Sequence, residues 1–270
     1  MNNNYVFTLA WNLTSEVEKA TNLLYTLNSR QDFKHIIVDL GFPLINGDKI
    51  PDDIDIAKKT NSKILKSICK IYGSDYLNII NKGVSQNWTS VYKAINMDNS
   101  DMIAGADPDE HPVNKNWVRA MGNVLRSKEN IGLVSLMMTA HETIIKGIPY
   151  IKKNINGENV YWIKEGLINW ALIGLSGKFF NKIGKIPYPK DAEIYGYIET
   201  ELLTLLNDNQ YIWVILPDYK VRHTDYELGD KGTSKLLRMW KNQIIHKRNE
   251  FGQMPFEEYL RMLKIGKIKI

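Results

Sequence analysis

The stretch Asp101-Met-Ile-Ala-Gly-Ala-Asp-Pro-Asp109 is a short apolar strand that runs directly into two aspartates separated by one proline. Successive residues of a strand point to opposite sides, but a proline between the two acids forces a turn that can bring both carboxylates to one edge. Hard divalent cations prefer such oxygen ligands and usually keep positions open for water and substrate phosphates. The stretch therefore predicts a site that holds a metal ion against a nucleoside diphosphate, with Asp107 and Asp109 as ligands.

An Asp-X-Asp triplet is a weak signal when it stands alone, because one arises by chance about once in a chain of this length. The competing interpretation is that Asp107 and Asp109 are solvated turn residues, one of which caps the helix that follows. The surrounding sequence has to decide between the two interpretations.

Apolar strands and amphipathic helices alternate on both sides of this stretch as far as residue 140. The spacing of apolar residues predicts helices between strands at residues 5–11, 35–40, 76–80, 101–107 and 131–136. This alternation is typical of an α/β protein with a mostly parallel sheet and helices on both faces. Ligands of such sheets bind outside the carboxyl ends of the strands. Asp39 and Asp107 both end strands, so both are expected at that edge.

The second half of the chain is less regular, although it still contains recognisable elements. Ile155-Asn-Gly-Glu158 predicts the turn of a β-hairpin. The apolar pattern also predicts strands at 170–175 and 211–216, a short extended piece at 220–225, and helices at 178–183, 195–206, 234–249 and 255–263. This half therefore adds strands and helices to the sheet without repeating the first half.

Composition limits the class of protein. The chain has 270 residues, 44% of them apolar, which is enough for one large core. No apolar run is long enough to span a bilayer, the amino terminus lacks the features of a secretory signal, and Cys69 is the only cysteine. An intrachain disulfide is therefore excluded, and a cytoplasmic protein is the simplest interpretation.

The net charge of +5 is concentrated at the carboxyl terminus. Residues 231–270 contain ten Lys or Arg and three Glu, a balance of +7, so the other 230 residues sum to −2. We therefore expect a catalytic or binding domain over residues 1–230 and a basic, amphipathic helical arm over residues 231–270. Such an arm could contact an anionic membrane peripherally or approach nucleic acid.

Several short motifs follow one another in a recognisable order. They are the strand Phe7-Thr-Leu-Ala-Trp-Asn12, Ile36-Ile-Val-Asp-Leu-Gly41, Asn81-Lys-Gly-Val-Ser-Gln-Asn-Trp88, Ala104-Gly-Ala-Asp-Pro-Asp-Glu-His-Pro112, Tyr197-Ile-Glu-Thr-Glu-Leu202 and Val221-Arg-His223. In this order the motifs resemble those of the GT-A-fold nucleotide-sugar glycosyltransferases, especially the large family-2 type group. The resemblance covers residues 5–225.

The resemblance implies a role for particular residues. The donor nucleotide would be bound by Trp11, Asn12, Asp39, Asn81, Lys82 and Asp107, the metal ion by Asp107, Asp109 and His223, and the acceptor hydroxyl would be deprotonated by Glu199. Two departures from the family pattern concern donor and base recognition. Gly41-Phe-Pro follows Asp39 where the family has Ser-x-Asp, and Ile198-Glu199 stands where it has Glu-Asp.

Elementary chemistry gives these residues a consistent purpose. Transfer of a sugar from a nucleoside diphosphate builds negative charge on the departing diphosphate, which a divalent cation stabilises. A histidine ligand favours Mn²⁺ over Mg²⁺, because imidazole suits softer ions. We therefore predict a metal-dependent glycosyltransferase, inverting if Glu199 acts as base, with a UDP-sugar favoured as donor. The acceptor stays open among glycan, protein, lipid-linked glycan and nucleic acid.

Two other functions are consistent with parts of the sequence. A nucleotidyltransferase on a related sheet usually has a glycine-rich phosphate loop after the first strand, and Asn12-Leu-Thr-Ser15 contains no glycine. A non-enzymatic binding module would instead use the basic arm on nucleic acid or an anionic membrane, and its binding would depend steeply on salt.

Overall fold

The structure is a computed structural model of the 270-residue chain. It describes residues 3–10, 14–45, 49–81, 84–127, 129–139, 149–163, 172–186, 198–223, 236 and 256–268, with the backbone alone for 14, 84, 85 and 198–201. In this part of the chain, none of the helices combines the length and the apolar character needed to cross a bilayer.

The first half has the alternation of strands and helices that the sequence predicts. Its elements are β1 (Asn4–Ala10), α1 (Thr14–Leu27), β2 (Lys34–Asp39), α2 (Ile54–Tyr72), β3 (Asp75–Asn78), α3 (Val84–Ile95), β4 (Met102–Ala106), β5 (Glu110–Pro112), α4 (Trp117–Leu125) and β6 (Ile131–Met138). A short 3-10 turn at Arg30–Asp32 connects α1 to β2. Neither β5 nor the 3-10 turn has a counterpart in the sequence prediction.

The second half contributes four more strands and three more helices to the described structure. They are β7 (Tyr150–Ile155), β8 (Glu158–Ile163), β9 (Ile173–Ser176), α5 (Gly177–Ile183), α6 (Ile198–Asp208), β10 (Ile212–His223) and α7 (Phe256–Lys264). The hairpin predicted at Ile155–Glu158 is confirmed, with Asn156 and Gly157 at φ of 52° and 88°. These positive φ values are those that Asn-Gly hairpin turns require.

All ten strands belong to one sheet, with the order β3-β2-β1-β4-β9-β6-β10-β8-β7 and with β5 paired to β10. Along this path β8 and β9 run opposite to the other seven strands. The predicted class, an α/β fold with a mostly parallel central sheet, is therefore confirmed. The carboxyl ends of β1, β2, β3 and β4 lie together at one edge of the sheet.

Alternating strand residues bury both faces of the sheet. In β1, Phe7 and Leu9 pack into a core shared with α3, α5, α6 and α7, whereas Val6 packs into a second core shared with α1 and α4. Ala10 joins a third cluster beneath α2. Because successive strand side chains point to opposite faces, the apolar runs of the sequence require helices on both sides of the sheet.

One long strand replaces two elements that the sequence predicts separately. We expected a strand at 211–216 and a separate extended piece at 220–225, but β10 continues from Ile212 to His223. Its pairing with β6 skips three residues between Leu216 and Lys220. Pro217 begins this irregularity, because proline cannot donate to a strand ladder. Past it, β10 pairs with β5.

The end of the basic arm packs against the main domain. The side chains of Phe256, Tyr259 and Leu260 in α7 are buried. Arg261 forms an ion pair with Asp55 of α2 at 2.9 Å. The helix predicted at 234–249 lies outside the described residues, apart from Leu236. A boundary at residue 230 and a separate role for the arm therefore stay predictions.

Close packing at the end of β4 depends on Gly105. A Cβ atom at this position would lie 2.6 Å from Phe7 Cζ and would overlap the ring of Trp88. Phe7 and Trp88 pack edge to face with ring centroids 4.7 Å apart, so neither ring can move easily. Gly105 therefore permits the contact between α3 and β4, the strand that leads into Asp107.

Replacing Gly105 by alanine should lower the free energy of unfolding by about 1–3 kcal/mol, because the added methyl overpacks this contact. The urea midpoint measures the loss. In the Gly105→Ala/Trp88→Leu double variant, the smaller side chain should remove part of the overlap, so the two substitutions should cost less together than separately. Purely additive losses would contradict an overlap with Trp88.

Candidate active site at the carboxyl end of the fourth strand

A tight turn carries the Asp-Pro-Asp motif. It begins directly after β4, and the backbone N–H of Glu110 donates to the backbone oxygen of Asp107 at 3.0 Å. Pro108 is buried, whereas Asp107 and Asp109 are partly exposed. The turn expected at Pro108 is therefore present, and it leaves both aspartates accessible from solvent at the edge of the sheet.

Glu110 anchors this turn and was missed by the sequence interpretation. Its Oε2 accepts hydrogen bonds from the backbone N–H groups of Asp107 at 3.0 Å and Leu172 at 3.2 Å. Burial raises the pKa of this carboxyl well above its usual range, and the charges of Asp107 and Asp109 raise it further. A third acid directly after Asp-Pro-Asp was the available signal.

The long strand β10 brings His223 to the same turn. β10 pairs with β5 in antiparallel register, which places His223 opposite Glu110. His223 Nδ1 lies 3.4 Å from Asp109 Oδ2. The side chains keep 25% and 13% of their surface exposed, respectively, so the pair lies at the protein surface. Residues separated by more than one hundred positions thus meet at the end of β4.

The donor atoms of this pair suit a divalent cation. Two neighbouring ligands of an octahedral ion, with bonds of about 2.1 Å, lie about 3 Å apart. The 3.4 Å between His223 Nδ1 and Asp109 Oδ2 is close to that separation. Over the described residues, however, no group of three or more His, Cys, Asp or Glu side chains is arranged to hold a metal ion. Asp107 would have to turn toward the pair to complete such a group.

Asp39 ends β2 as the sequence predicts, but its carboxylate already has partners within the protein. Oδ1 accepts from the Gly41 N–H at 2.8 Å, and Oδ2 accepts from the Ser62 and Tyr76 hydroxyls, each at 2.5 Å. The Asp39 side chain is completely buried. These bonds connect β2 to α2 and β3, and because the side chain is buried, contact with a nucleotide base would require this arrangement to change.

The remaining predicted donor residues are only partly described. Asn81 follows β3 at the same edge of the sheet, where its Oδ1 accepts from the Asn87 amide at 2.9 Å. Glu199 lies in the first turn of α6, and its side chain is outside the described part. Trp11, Asn12 and Lys82 also lie outside it. The roles proposed for these residues stay predictions.

His111 supports the turn from the side of α1. Its Nε2 lies 3.6 Å from Glu16 Oε2, which connects β5 to the first turn of α1. Burial lowers the pKa of His111, whereas Glu16 opposes this change. In the pairing of β5 with β10, His111 lies opposite Arg222, one position along from the pair of Glu110 and His223. Because successive strand side chains point to opposite faces, His111 faces away from His223. Its contact with Glu16 thus lies on the α1 side of the turn.

Comparison with known proteins gives a fold but no close relative. No family model and no curated protein matches the sequence. Among solved structures, the chain is similar to GalNAc-T7 with UDP, GalNAc and Mn²⁺, with a TM-score of 0.58 and 11% sequence identity. The match covers 83% of this chain and 44% of that one, so the chain spans less than half the length of its structural neighbour. The fold is GT-A-like.

Proposed function

We propose that the protein is a metal-dependent glycosyltransferase that moves a sugar from a nucleoside-diphosphate sugar to an acceptor hydroxyl. The observation that carries this proposal is the meeting of Asp109 and His223, 3.4 Å apart, at the Asp-Pro-Asp turn that ends β4. A GT-A-like fold surrounds the turn, and the structural neighbour contains UDP, GalNAc and Mn²⁺. A UDP-sugar is therefore the favoured donor.

Asp107, Asp109 and His223 are the residues that would hold the cation. When bound, a divalent ion at this turn would supply Lewis-acid stabilisation of the departing diphosphate. The imidazole of His223 favours Mn²⁺ over Mg²⁺. The buried Glu110 would keep the turn in place through its hydrogen bonds to the Asp107 and Leu172 N–H groups.

The nucleoside would lie along the edge of the sheet, from β4 toward β2. Because β1 lies between these strands, their ends are two strand spacings, about 10 Å, apart. In this proposal Trp11 and Asn12 at the end of β1, with Asn81 and Lys82 after β3, contact the donor. Asp39 either exchanges one of its internal hydrogen bonds for the base or shapes the edge through Ser62 and Tyr76.

Glu199 is the proposed base. A carboxylate that takes the proton of the acceptor hydroxyl lets that oxygen attack the anomeric carbon as the bond to the diphosphate breaks. Attack from the face opposite the leaving group inverts the configuration. Glu199 lies in the first turn of α6. Its assignment as the base rests on its place in the order of the sequence motifs.

Binding of the donor can be tested by thermal unfolding of the full chain. UDP and UDP-sugars should raise Tm when Mn²⁺ is present, because a ligand at one hundred times its Kd adds about 2.7 kcal/mol to the stability of the native state. For a chain of this size that corresponds to a rise of about 5 °C or more. GDP and ADP with Mn²⁺ are the controls for the base. If no nucleotide shifts Tm with Mn²⁺, the proposed donor site is wrong.

A further inference from the structure

A cavity lies beside the carboxyl ends of β2 and β3, on the side of α2. Its volume is about 560 Å³, which is within the range of roughly 300–1,000 Å³ that is usual for small-molecule sites. One wall is α2, and another is formed by the chain after β2 and after β3. Helix α7 contributes the end of the cavity through Phe256 and Glu257.

The α2 wall is strongly basic. Lys58, Lys59, Lys63 and Lys66 all line the cavity, and their spacing places them on one face of the helix. The carboxylate in the lining is that of Glu257, which forms an ion pair with Lys58 at 2.8 Å. Within the described part of the chain, no ion pair involves Lys59, Lys63 or Lys66. The lining therefore has an excess of three positive charges.

The rest of the lining suits an organic group attached to an anion. The rings of Phe42 and Phe256 pack with centroids 5.6 Å apart at the end of the cavity, next to the basic wall. Asn78 and Asn81 add amide groups from the β3 side. An apolar end, neutral hydrogen-bonding groups and clustered ammonium groups together match a phosphorylated molecule better than a neutral sugar.

The cavity does not include the metal-binding turn, although Asn81, a proposed donor contact, is among its lining residues. Asp107, Asp109 and His223 are all absent from its lining. Ser62 lines it, and the Ser62 hydroxyl donates to the buried Asp39 at 2.5 Å. The end of β1 lies between the end of β2, beside which the cavity is found, and the end of β4 in the strand order.

We propose that this cavity binds the phosphate group of a phosphorylated acceptor, with Lys59, Lys63 and Lys66 as its cationic partners. The assignment of this molecule as acceptor rests on the proposed glycosyltransferase function, whereas binding of the phosphate group does not. Lysine ammonium groups bind phosphate as compact charges with several donors each. Their clustering also concentrates anions at the mouth of the cavity.

The test uses the full chain without Mn²⁺ and measures binding of inorganic phosphate by calorimetry at constant ionic strength. The Lys59→Gln/Lys63→Gln variant should bind phosphate about tenfold more weakly than wild type, since two charge-assisted contacts are lost. Lys70→Gln/Lys93→Gln is the matched control, because it also removes two positive charges and neither of these exposed lysines lines the cavity. It should bind phosphate as wild type does.

A second arm identifies the source of the phosphate. Co-sedimentation is measured with phosphatidylcholine vesicles that contain phosphatidic acid, and with phosphatidylcholine vesicles alone. Lys59- and Lys63-dependent binding to the acidic vesicles would assign a lipid phosphate, and dependence confined to free phosphate would assign a soluble one. The proposal is overturned if wild type and the double variant bind inorganic phosphate and the acidic vesicles equally well. It is also overturned if neither protein binds either ligand.

A third measurement separates the cavity from the donor site. Binding of UDP with Mn²⁺ should be unchanged in Lys59→Gln/Lys63→Gln, and an equal loss of UDP and phosphate binding would show that the cavity belongs to the donor site and overturn the proposal. If wild type binds phosphate through these lysines but binds no nucleotide, the anion site stands and the glycosyltransferase function fails.

Discussion

Replacing Asp109 by alanine should weaken Mn²⁺-dependent binding of UDP, and transfer from a UDP-sugar, by about 100-fold or more. Loss of a group that only orients a ligand already costs about 10–100-fold in metal affinity, so loss of a ligand itself should cost at least as much. The variant removes the carboxylate that lies 3.4 Å from His223 Nδ1. Calorimetric titration of Mn²⁺ in the presence of UDP measures the change directly.

The matched control for this substitution is Asp208→Ala, which removes an exposed carboxylate at the end of α6. It changes the net charge by the same amount and should leave the Mn²⁺ dependence intact. Comparing Tm without metal shows whether either variant has lost its fold. His223→Gln should reduce the preference for Mn²⁺ over Mg²⁺, because the imidazole is removed. If Asp109→Ala binds UDP in the presence of Mn²⁺ as tightly as wild type does, the proposed metal site is wrong.

The fold could be predicted because its information is local. In β1 and β2, apolar residues follow one another in the runs Tyr5-Val-Phe7 and Ile36-Ile-Val38, as expected of strands buried on both faces. Helix α2 is bounded by Asp53, whose side chain accepts from the N–H groups of Asp55 and Ile56, and by Gly73 at φ 71°. Patterns and caps of this kind act within a few residues, so sequence alone determines where most elements lie.

The candidate site could be predicted only in part, because its geometry depends on register between distant strands. The Asp-Pro-Asp turn is local, and it was found. The approach of His223 requires the skipped residues after Leu216 and the pairing of β10 with β5. Nothing near His223 in the sequence contains that information, and the resemblance to a known family supplied the residue where the pattern alone could not.

The burial and the hydrogen-bond partners of two polar side chains could not be predicted from the sequence for the same reason. Glu110 looks like one more acid in a polar turn, yet it is buried and accepts hydrogen bonds from the nearby Asp107 N–H and the distant Leu172 N–H. Asp39 reads as a strand end that faces a ligand, but Ser62 and Tyr76 donate to it from α2 and β3. The burial and partners of a polar side chain are properties of the assembled layers.

His35 should make the protein unstable in acid. The imidazole is buried in β2, where Nε2 lies 3.1 Å from the Thr8 hydroxyl and Nδ1 lies 2.8 Å from the Ser74 hydroxyl. Burial lowers the pKa of His35 from 6.5 to about 3. Between these two values the unfolded state binds a proton that the native state does not. The free energy of unfolding should therefore fall as pH falls through this window.

The titration of His35 should lower the free energy of unfolding by roughly 1.4 kcal/mol for each pH unit below 6.5, or about 4–5 kcal/mol by pH 3. Urea unfolding from pH 7 to pH 3 measures it, and His35→Gln should lessen the slope because glutamine does not titrate, even though its stability at pH 7 is lower. His111→Gln should lessen the slope by less, because burial lowers the pKa of His111 too but Glu16 opposes that change. Parallel pH profiles for wild type and His35→Gln would show that His35 is not the group whose protonation opposes folding.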